Sequence, residues 1–90
     1  MKIYTITYAS FDCNDNYLFQ DCQAFATKED ANKAFDEACQ GGYDDVTNPY
    51  ESNDEEDLFD AEMSKEDNYC EIVRSDGEVY VKIELREHEL

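Results

Sequence analysis

The sequence predicts an α+β fold, in which an antiparallel sheet of about four strands carries one main helix on one face. Two observations lead to this prediction: apolar residues alternate near both ends of the chain, and a segment between them has helical periodicity. The expected order is two strands, the helix, an acidic region with a short helix, and two more strands. With 90 residues and no internal repeat, the chain is expected to form a single domain, residues 1–90.

The first strand is predicted over residues 2–9, where aromatic and aliphatic residues alternate with threonine. A polar turn at residues 12–16 leads into a second strand over residues 17–26, so the two strands should form a hairpin. Oxidation could join Cys13 to Cys22 across this hairpin. Four apolar residues of the second strand are possible contributors to the core: Leu18, Phe19, Ala24 and Phe25.

The main helix is predicted over residues 28–40, because apolar residues recur there at intervals of three and four. Thr27 is a suitable N-cap, and Gly41 and Gly42 are expected to end the helix with a left-handed C-cap. The face directed toward the core would consist of Ala31, Ala34, Phe35, Ala38 and Cys39.

A second hairpin is predicted around Asp76 and Gly77, a dipeptide typical of a two-residue type I′ turn. The register that places Ser75 opposite Glu78 gives both faces a consistent chemistry, and a shift by one residue would spoil both. Its pairs are Ile72 with Val81, Cys70 with Ile83, Glu71 with Lys82, and Val73 with Tyr80. An apolar row is expected to face the helix: Val79, Val81, Ile83 and Leu85. The tail over residues 86–90 is expected to fray.

The helix and the second hairpin are separated by a strongly acidic insertion, residues 43–68. The net charge of the chain is −17, from 24 Asp and Glu against seven Lys and Arg. Residues 44–67 alone hold 11 of these acids and a single Lys65. We expect a loop over residues 43–53 and a short helix over residues 54–63, whose first-turn acids are favoured by the helix dipole. Three residues would anchor that helix on the core: Leu58, Phe59 and Met63.

The sequence contains no catalytic motif, and catalysis is not expected. The only histidine, His88, lies in a charged tail, and no glycine-rich phosphate loop or nucleophile elbow occurs. The four cysteines include no Cys-x-x-Cys pair, which argues against zinc. In a reducing compartment they are most simply free thiols. Cys39 and Cys70 lie on apolar stripes and should fill the core.

Calcium is also a poor fit, although carboxylates are its usual ligands. Residues 12–16 match the first positions of an EF-hand loop, but Tyr17 stands where that loop needs glycine. Gln23 stands where it needs a bidentate glutamate. We therefore predict no metal and no cofactor, and expect residues 54–57 to gather divalent cations only weakly.

Charge and hydropathy narrow the class of partner. No apolar run is long enough to cross a membrane, and the first residues lack the apolar core of a signal peptide, so cytoplasmic residence is expected. Direct binding of nucleic acid or anionic membranes is disfavoured, because their phosphates repel the chain. The expected partner is a basic protein surface.

A compact acidic domain can imitate the polyanionic surface of DNA and occupy a groove that proteins line with Lys and Arg. Tyr43, Tyr50 and Phe59 could supply apolar anchors among the acids. The predicted partner-binding residues are the acids of residues 44–67: Asp44, Asp45, Glu51, Asp54, Glu55, Glu56, Asp57, Asp60, Glu62, Glu66 and Asp67.

In size and charge the chain resembles small inhibitors, encoded by phages or mobile elements, that imitate DNA, such as anti-CRISPR and anti-restriction proteins. The resemblance rests on bulk properties. It implies an acidic, protein-binding inhibitor that occupies the basic DNA- or RNA-binding groove of a partner. The alternative is a small structural or regulatory interaction domain that meets its partner by packing, with an acidic face that serves only solubility.

Overall fold

The computed structural model describes residues 1–14, 16–48 and 58–89, which form five strands and one helix. The elements are β1 (Lys2–Asp12), β2 (Tyr17–Phe25), α1 (Lys28–Thr47), β3 (Ala61–Lys65), β4 (Tyr69–Arg74) and β5 (Val79–Glu89). All neighbouring strands are antiparallel, in the order β2-β1-β5-β4-β3, and α1 packs on one face of the sheet. The predicted α+β fold is confirmed, with five strands in place of four.

The apolar stripe of α1 lies on the sheet as predicted. Phe35 and Cys39 are no more than 2% exposed. The Oγ1 of Thr27 caps the helix by accepting a hydrogen bond from the N–H of Asp30 at 3.3 Å. Cys70 is buried beside them from β4, so the expected role of Cys39 and Cys70 as core residues is confirmed. The central core cluster is Ile6, Phe35, Cys39, Val46, Cys70, Ile72, Val81 and Ile83.

The helix does not end at its glycines. It continues through Gly41 and Gly42 to Thr47, so the predicted C-cap is wrong, as is a loop beginning at residue 43. Gly42 is buried, and a Cβ there would lie 3.2 Å from both Ile72 Cδ1 and the ring of Tyr8. Glycine suits this position because the helix approaches the sheet closely and a Cβ would be a tight fit. Tertiary packing outweighs the low helix propensity of the pair.

The acidic insertion contains a strand, β3, where the sequence predicts the end of a short helix. Residues 61–65 pair with β4, with Met63 opposite Ile72, so a helix reaching residue 63 is wrong; residues 54–57 lie outside the described residues. Pairing with β4 gives these residues backbone partners in the sheet, and an isolated short helix is only marginally stable in water. Leu58 and Met63 are 47% and 40% exposed and do not anchor on the core, whereas Phe59 is half-buried.

Strand β2 is the outermost strand next to β1 and contributes little to the core. Leu18 and Phe19 are 57% and 56% exposed, and Ala24 is exposed as well. Of the four predicted contributors only Phe25 packs against the core cluster. The reason is position, because α1 lies mainly over the inner strands and β2 extends beyond its edge.

The first hairpin also excludes the disulfide considered for it. Cys22 lies opposite Thr7 in the register of β1 and β2, whereas Cys13 follows the last residue of β1. Six residues of extended chain separate Thr7 from Cys13, which is about 20 Å at 3.3 Å per residue. Bridged Cα atoms lie within roughly 7 Å of each other, so this pair cannot form a disulfide in the folded chain. All four cysteines are free thiols.

The second hairpin has the predicted register in all four pairs: Ile72 with Val81, Cys70 with Ile83, Glu71 with Lys82, and Val73 with Tyr80. The predicted two-residue type I′ turn centred on Asp76 and Gly77 is wrong, because the N–H of Gly77 bonds the carbonyl of Arg74 at 2.8 Å and Ser75 and Asp76 are therefore the central residues. Gly77 follows them with a φ of 73°. The left-handed conformation explains the glycine. The apolar row also faces the helix, with Val81 and Ile83 buried and Val79 and Leu85 half-buried.

Residues 86–89 pair with β1 and do not fray as predicted, and residue 90 lies outside the described residues. Strand β5 continues to Glu89, which lies opposite Lys2 at the start of β1. Because β1 has the same length as β5, every described residue at this end of β5 has a partner strand. The backbone ladder therefore holds a segment whose side chains alone predict a loose tail.

Candidate functional site

The connectivity gives the sheet two ends with different chemistry. One end gathers the β1–β2 turn, the C-terminus of α1, the start of β3 and the β4–β5 turn. We call it the acidic end, and its described carboxylates are Asp12, Asp44, Asp45, Asp60, Asp76 and Glu78. The opposite end holds the N-terminus of α1 and the β3–β4 turn. Its acids are mixed with cations: Lys2, Lys28, Lys65 and Arg86.

The cation of the acidic end, Arg74, is already engaged. Its side chain is 11% exposed, with Nε 2.9 Å from Asp76 Oδ1 and Nη2 3.5 Å from Glu78 Oε2. The guanidinium carbon lies 4.3 Å from the centroid of the Phe59 ring. The hydrogen bond that Arg74 donates to Asp76 is the main reason why the pKa of Asp76 lies below its usual value, and the N–H of Glu78 adds a second hydrogen bond. Arg74 therefore braces the turn and offers little positive charge to solvent.

The remaining acids of this end are exposed and uncompensated. Asp44, Asp45 and Asp60 take part in no ion pair among the described residues. The nearest further cation along the sheet, Lys82, lies on the face without the helix, 5.3 Å from the centroid of the Tyr80 ring. The acidic end thus presents concentrated negative charge to whatever approaches it.

Asp44 and Asp45 occupy an unfavourable position for helix stability. They lie in the last turns of α1, and no basic residue lies in its last turn. The helix dipole is negative there, which disfavours an exposed acid by about 0.3–1 kcal/mol. Asp44 is partly stabilised by the Gln40 side-chain amide, which donates to Oδ1 at 3.0 Å. Helix stability therefore does not explain these two carboxylates.

The eleven predicted acids are not gathered in one patch. Asp44, Asp45 and Asp60 lie at the acidic end, and Glu62 lies opposite Val73 on the face without the helix. Glu66 and Asp67 lie at the opposite end, beyond the last residue of β3. The six residues from Asp60 to Glu66 span about 20 Å in an extended chain. Outside the described residues lie Glu51, Asp54, Glu55, Glu56 and Asp57.

Sequence reasoning missed three members of the acidic end: Asp12, Asp76 and Glu78. All three lie in or beside the two predicted hairpin turns. With this antiparallel connectivity both turns fall at the end of the sheet where α1 finishes. The predicted order of the elements is therefore the signal that could have placed these three acids beside Asp44 and Asp45. Of the predicted apolar anchors, Tyr43 packs half-buried against the core, Phe59 lies beneath Arg74, and Tyr50 is outside the described residues.

Asp12 serves the structure of the β1–β2 turn. Its Oδ1 accepts the backbone N–H groups of Asn14 and Asn16, both at 2.9 Å, and its Oδ2 accepts the Asn16 side-chain amide at 3.3 Å. The backbone hydrogen bonds, that of Asn16 first, lower the pKa of Asp12. The EF-hand-like residues thus form an Asx turn. Among the described residues no group of three His, Cys, Asp or Glu is placed to hold a metal ion.

The lowered pKa of Asp12 gives a pH-dependent expectation. A carboxyl whose folded pKa lies below its unfolded value, about 3.9, stabilises the fold above that value. The contribution disappears as the pH falls through the folded pKa. Asp12→Asn keeps an acceptor oxygen but cannot titrate, so it should lose less stability than the wild type between pH 7 and about pH 2.5.

The measurement is the urea midpoint of both proteins at these two pH values, which avoid the sequence pI of about 4.1. Every other titrating group is common to the two proteins, so the difference between their pH effects reports Asp12. An identical loss in both would mean that the turn hydrogen bonds do not depend on the charge of Asp12.

The chain matches no protein-family model, and no curated protein or solved structure is significantly similar to it. The one helix among the described residues is not apolar enough to span a membrane. Function is therefore inferred from the surface of this chain.

Proposed function

We propose that this protein binds the basic, nucleic-acid-binding surface of a partner protein through its acidic end, as a mimic of nucleic acid. The observation that carries the proposal is the segregation of charge along the sheet. At the acidic end six described carboxylates accompany one arginine that is already ion-paired, while most cations lie toward the other end. Such a gradient orients an approaching basic surface and speeds the encounter.

The charge density suits a surface built for phosphates. The body is 48 Å long, and duplex DNA of that length carries about 28 negative charges at one per 1.7 Å. The chain carries a net −17, more than half of that number. The body as a whole is therefore a polyanion of comparable sign and order, and the acidic end is the part of it in which described cations compensate the least charge. Bound to the basic surface of the partner, the protein would inhibit it, as anti-restriction and anti-CRISPR proteins that imitate DNA do.

A second candidate function is docking by packing on the face of the sheet that α1 leaves uncovered. Aromatic rings cluster there: Phe11 lies 4.7 Å from Tyr17 and 5.9 Å from Tyr80, centroid to centroid. Tyr17 is 62% exposed and Val73 is 37% exposed. An interaction domain that used this face would bind with little dependence on salt, whereas binding through the acidic end should weaken steeply as salt rises.

The experiment compares two triple variants with equal changes in net charge. Asp44→Asn, Asp45→Asn and Asp60→Asn neutralise the acidic end. Glu66→Gln, Asp67→Asn and Glu89→Gln neutralise three exposed acids at the opposite end. Each protein is immobilised and used to capture proteins from a bacterial lysate at about 50 mM salt, where surface charges are weakly screened.

We expect the wild type to release its captured partner when a short DNA duplex is added at constant salt, because both compete for one basic groove. The acidic-end variant should capture at least roughly tenfold less of that partner, and the control variant should stay within about twofold of the wild type. Equal losses in both variants would reduce the effect to net charge. A partner that neither DNA nor salt releases would favour the uncovered face.

A further inference from the structure

A groove runs along one side of α1, where β2 extends beyond the helix. Its volume is 490 Å³, within the range of about 300–1,000 Å³ typical of binding pockets. Along most of its length the helix wall consists of small residues one or two turns apart, Ala34, Ala38 and Gly41, and Asp45 and Val46 complete it at the end of α1. The sheet supplies the rings of Tyr8 and Phe19 to the other wall. Because α1 offers no long side chain on this side, the groove stays open along about two turns of helix.

The aromatic wall is ordered and partly exposed. Tyr8 and Phe19 meet edge to face, with centroids 5.7 Å apart and ring planes at 71°. Phe19 nevertheless remains 56% exposed. Aromatic faces attract cations, and a guanidinium can stack on them favourably.

Two carboxylates flank this wall from separate elements. Asp21 projects from β2 and Asp45 from α1, and both line the groove and are exposed. Neither takes part in an ion pair among the described residues, and Asp21 accepts only a long, 3.4 Å hydrogen bond from Gln23 Nε2. Arg74, also on the lining, is held by Asp76 and its turn. The groove is therefore complementary to a cation with a flat, partly apolar body.

Gly41 adds a separate observation. Unlike Gly42, it is not required by close packing against the described residues, since a Cβ at Gly41 would meet none of their atoms within 4 Å. A glycine inside a helix is less stable than alanine. Neither a positive φ nor a contact with the described residues accounts for it. Its missing side chain leaves the groove wide beside Asp45.

We propose that this groove binds an arginine side chain from a basic segment of the partner, with the guanidinium against Tyr8 and Phe19 and between Asp21 and Asp45. The inference rests on the proposed function and identifies the partner residue, an arginine, that anchors the complex. Arginine fits better than lysine, because its planar guanidinium stacks on rings and can hydrogen-bond two carboxylates at once.

The test fills the groove without changing any charge. Gly41→Leu places a branched side chain in the groove and raises helix propensity, so the variant should melt at or above the wild-type temperature. Asn32→Leu is the matched control, since Asn32 is exposed on α1 and does not line this groove. The probes are three dye-labelled peptides of alternating glycine with arginine, lysine or citrulline, the neutral isostere of arginine.

Fluorescence anisotropy at about 50 mM salt should show binding of the arginine peptide at least roughly threefold tighter than the lysine peptide, and none of the citrulline peptide. Gly41→Leu should weaken arginine-peptide binding at least about tenfold, and Asn32→Leu by less than about twofold. Amide resonances of Ala38 and Gly41 should shift when the arginine peptide is added to the wild type.

Three results would overturn the inference. Unchanged arginine-peptide affinity in Gly41→Leu would place the anchor elsewhere and leave the acidic end as the binding surface. Equal binding of the citrulline peptide would make the groove an apolar site. A dimer of the wild type that Gly41→Leu converts to a monomer in sedimentation would make a second copy the occupant. The proposed function itself fails separately, if the wild type binds neither cationic peptide in a salt-dependent way.

Discussion

Phe35→Ala is expected to lower the free energy of unfolding by about 3–5 kcal/mol, the usual cost of removing a buried phenylalanine. Phe35 is 2% exposed and lies in the central cluster between α1 and the sheet. A domain of this size has a total stability of roughly 5–13 kcal/mol, so the change removes a large part of the margin. The net charge of −17 destabilises the folded state further through self-repulsion, so little stability remains to offset the loss of Phe35.

Urea unfolding at fixed pH and salt measures the change, and Phe19→Ala is the matched control. Phe19 has the same side chain but is 56% exposed on β2, so its removal should cost less than about 1 kcal/mol. The two substitutions therefore separate a core residue from a residue of the groove. Similar losses in both would mean that β2 and its ring contact with Tyr8 belong to the stabilising core.

The second hairpin could be predicted from sequence because each of its signals is local. A turn dipeptide and two alternating runs fix one register, in which Ile72 meets Val81 and Glu71 meets Lys82. The stripe on α1 is local in the same sense, since Ala31, Phe35 and Cys39 repeat at four-residue intervals. Where the pattern and its consequence lie on one element, sequence and structure agree.

The end of α1 and the whole of β3 depend instead on contacts between distant residues. Gly41 and Gly42 carry the usual signal for a helix end, but Gly42 packs on Tyr8 and Ile72, and no local pattern reveals that contact. Residues 61–65 lie at an edge and all but Ala61 are exposed, so their strand is defined by the free edge of β4 rather than by their own periodicity.

The candidate site shows the same division. The acidic stretch is continuous in sequence, yet β3 carries Glu66 and Asp67 away from Asp44 and Asp60 to the opposite end. Asp76, outside the stretch, is brought in by a hairpin turn. Composition therefore predicted the sign of the surface, while the topology decides which carboxylates lie together; the class of partner stays a prediction.

The two neighbouring glycines of α1 give opposite expectations for one substitution. Gly42→Val should destabilise the fold by about 1–3 kcal/mol, because its Cβ would already lie 3.2 Å from Ile72 and Tyr8 and its methyl groups would overpack the contact. Gly41→Val meets open space at Cβ and should be neutral or stabilise by up to about 0.5 kcal/mol through helix propensity and a less flexible unfolded chain.

Urea midpoints of both variants, with helicity followed by circular dichroism, provide the measurement. Because the substitutions are identical and adjacent, differences in intrinsic propensity cancel, and the remaining difference reports the contact between α1 and the sheet. If Gly42→Val were as stable as Gly41→Val, the helix would be able to move away from Ile72 and Tyr8 at no cost. The packing that carries α1 past its glycines, and with it Asp44 and Asp45 to the acidic end, would then need another cause.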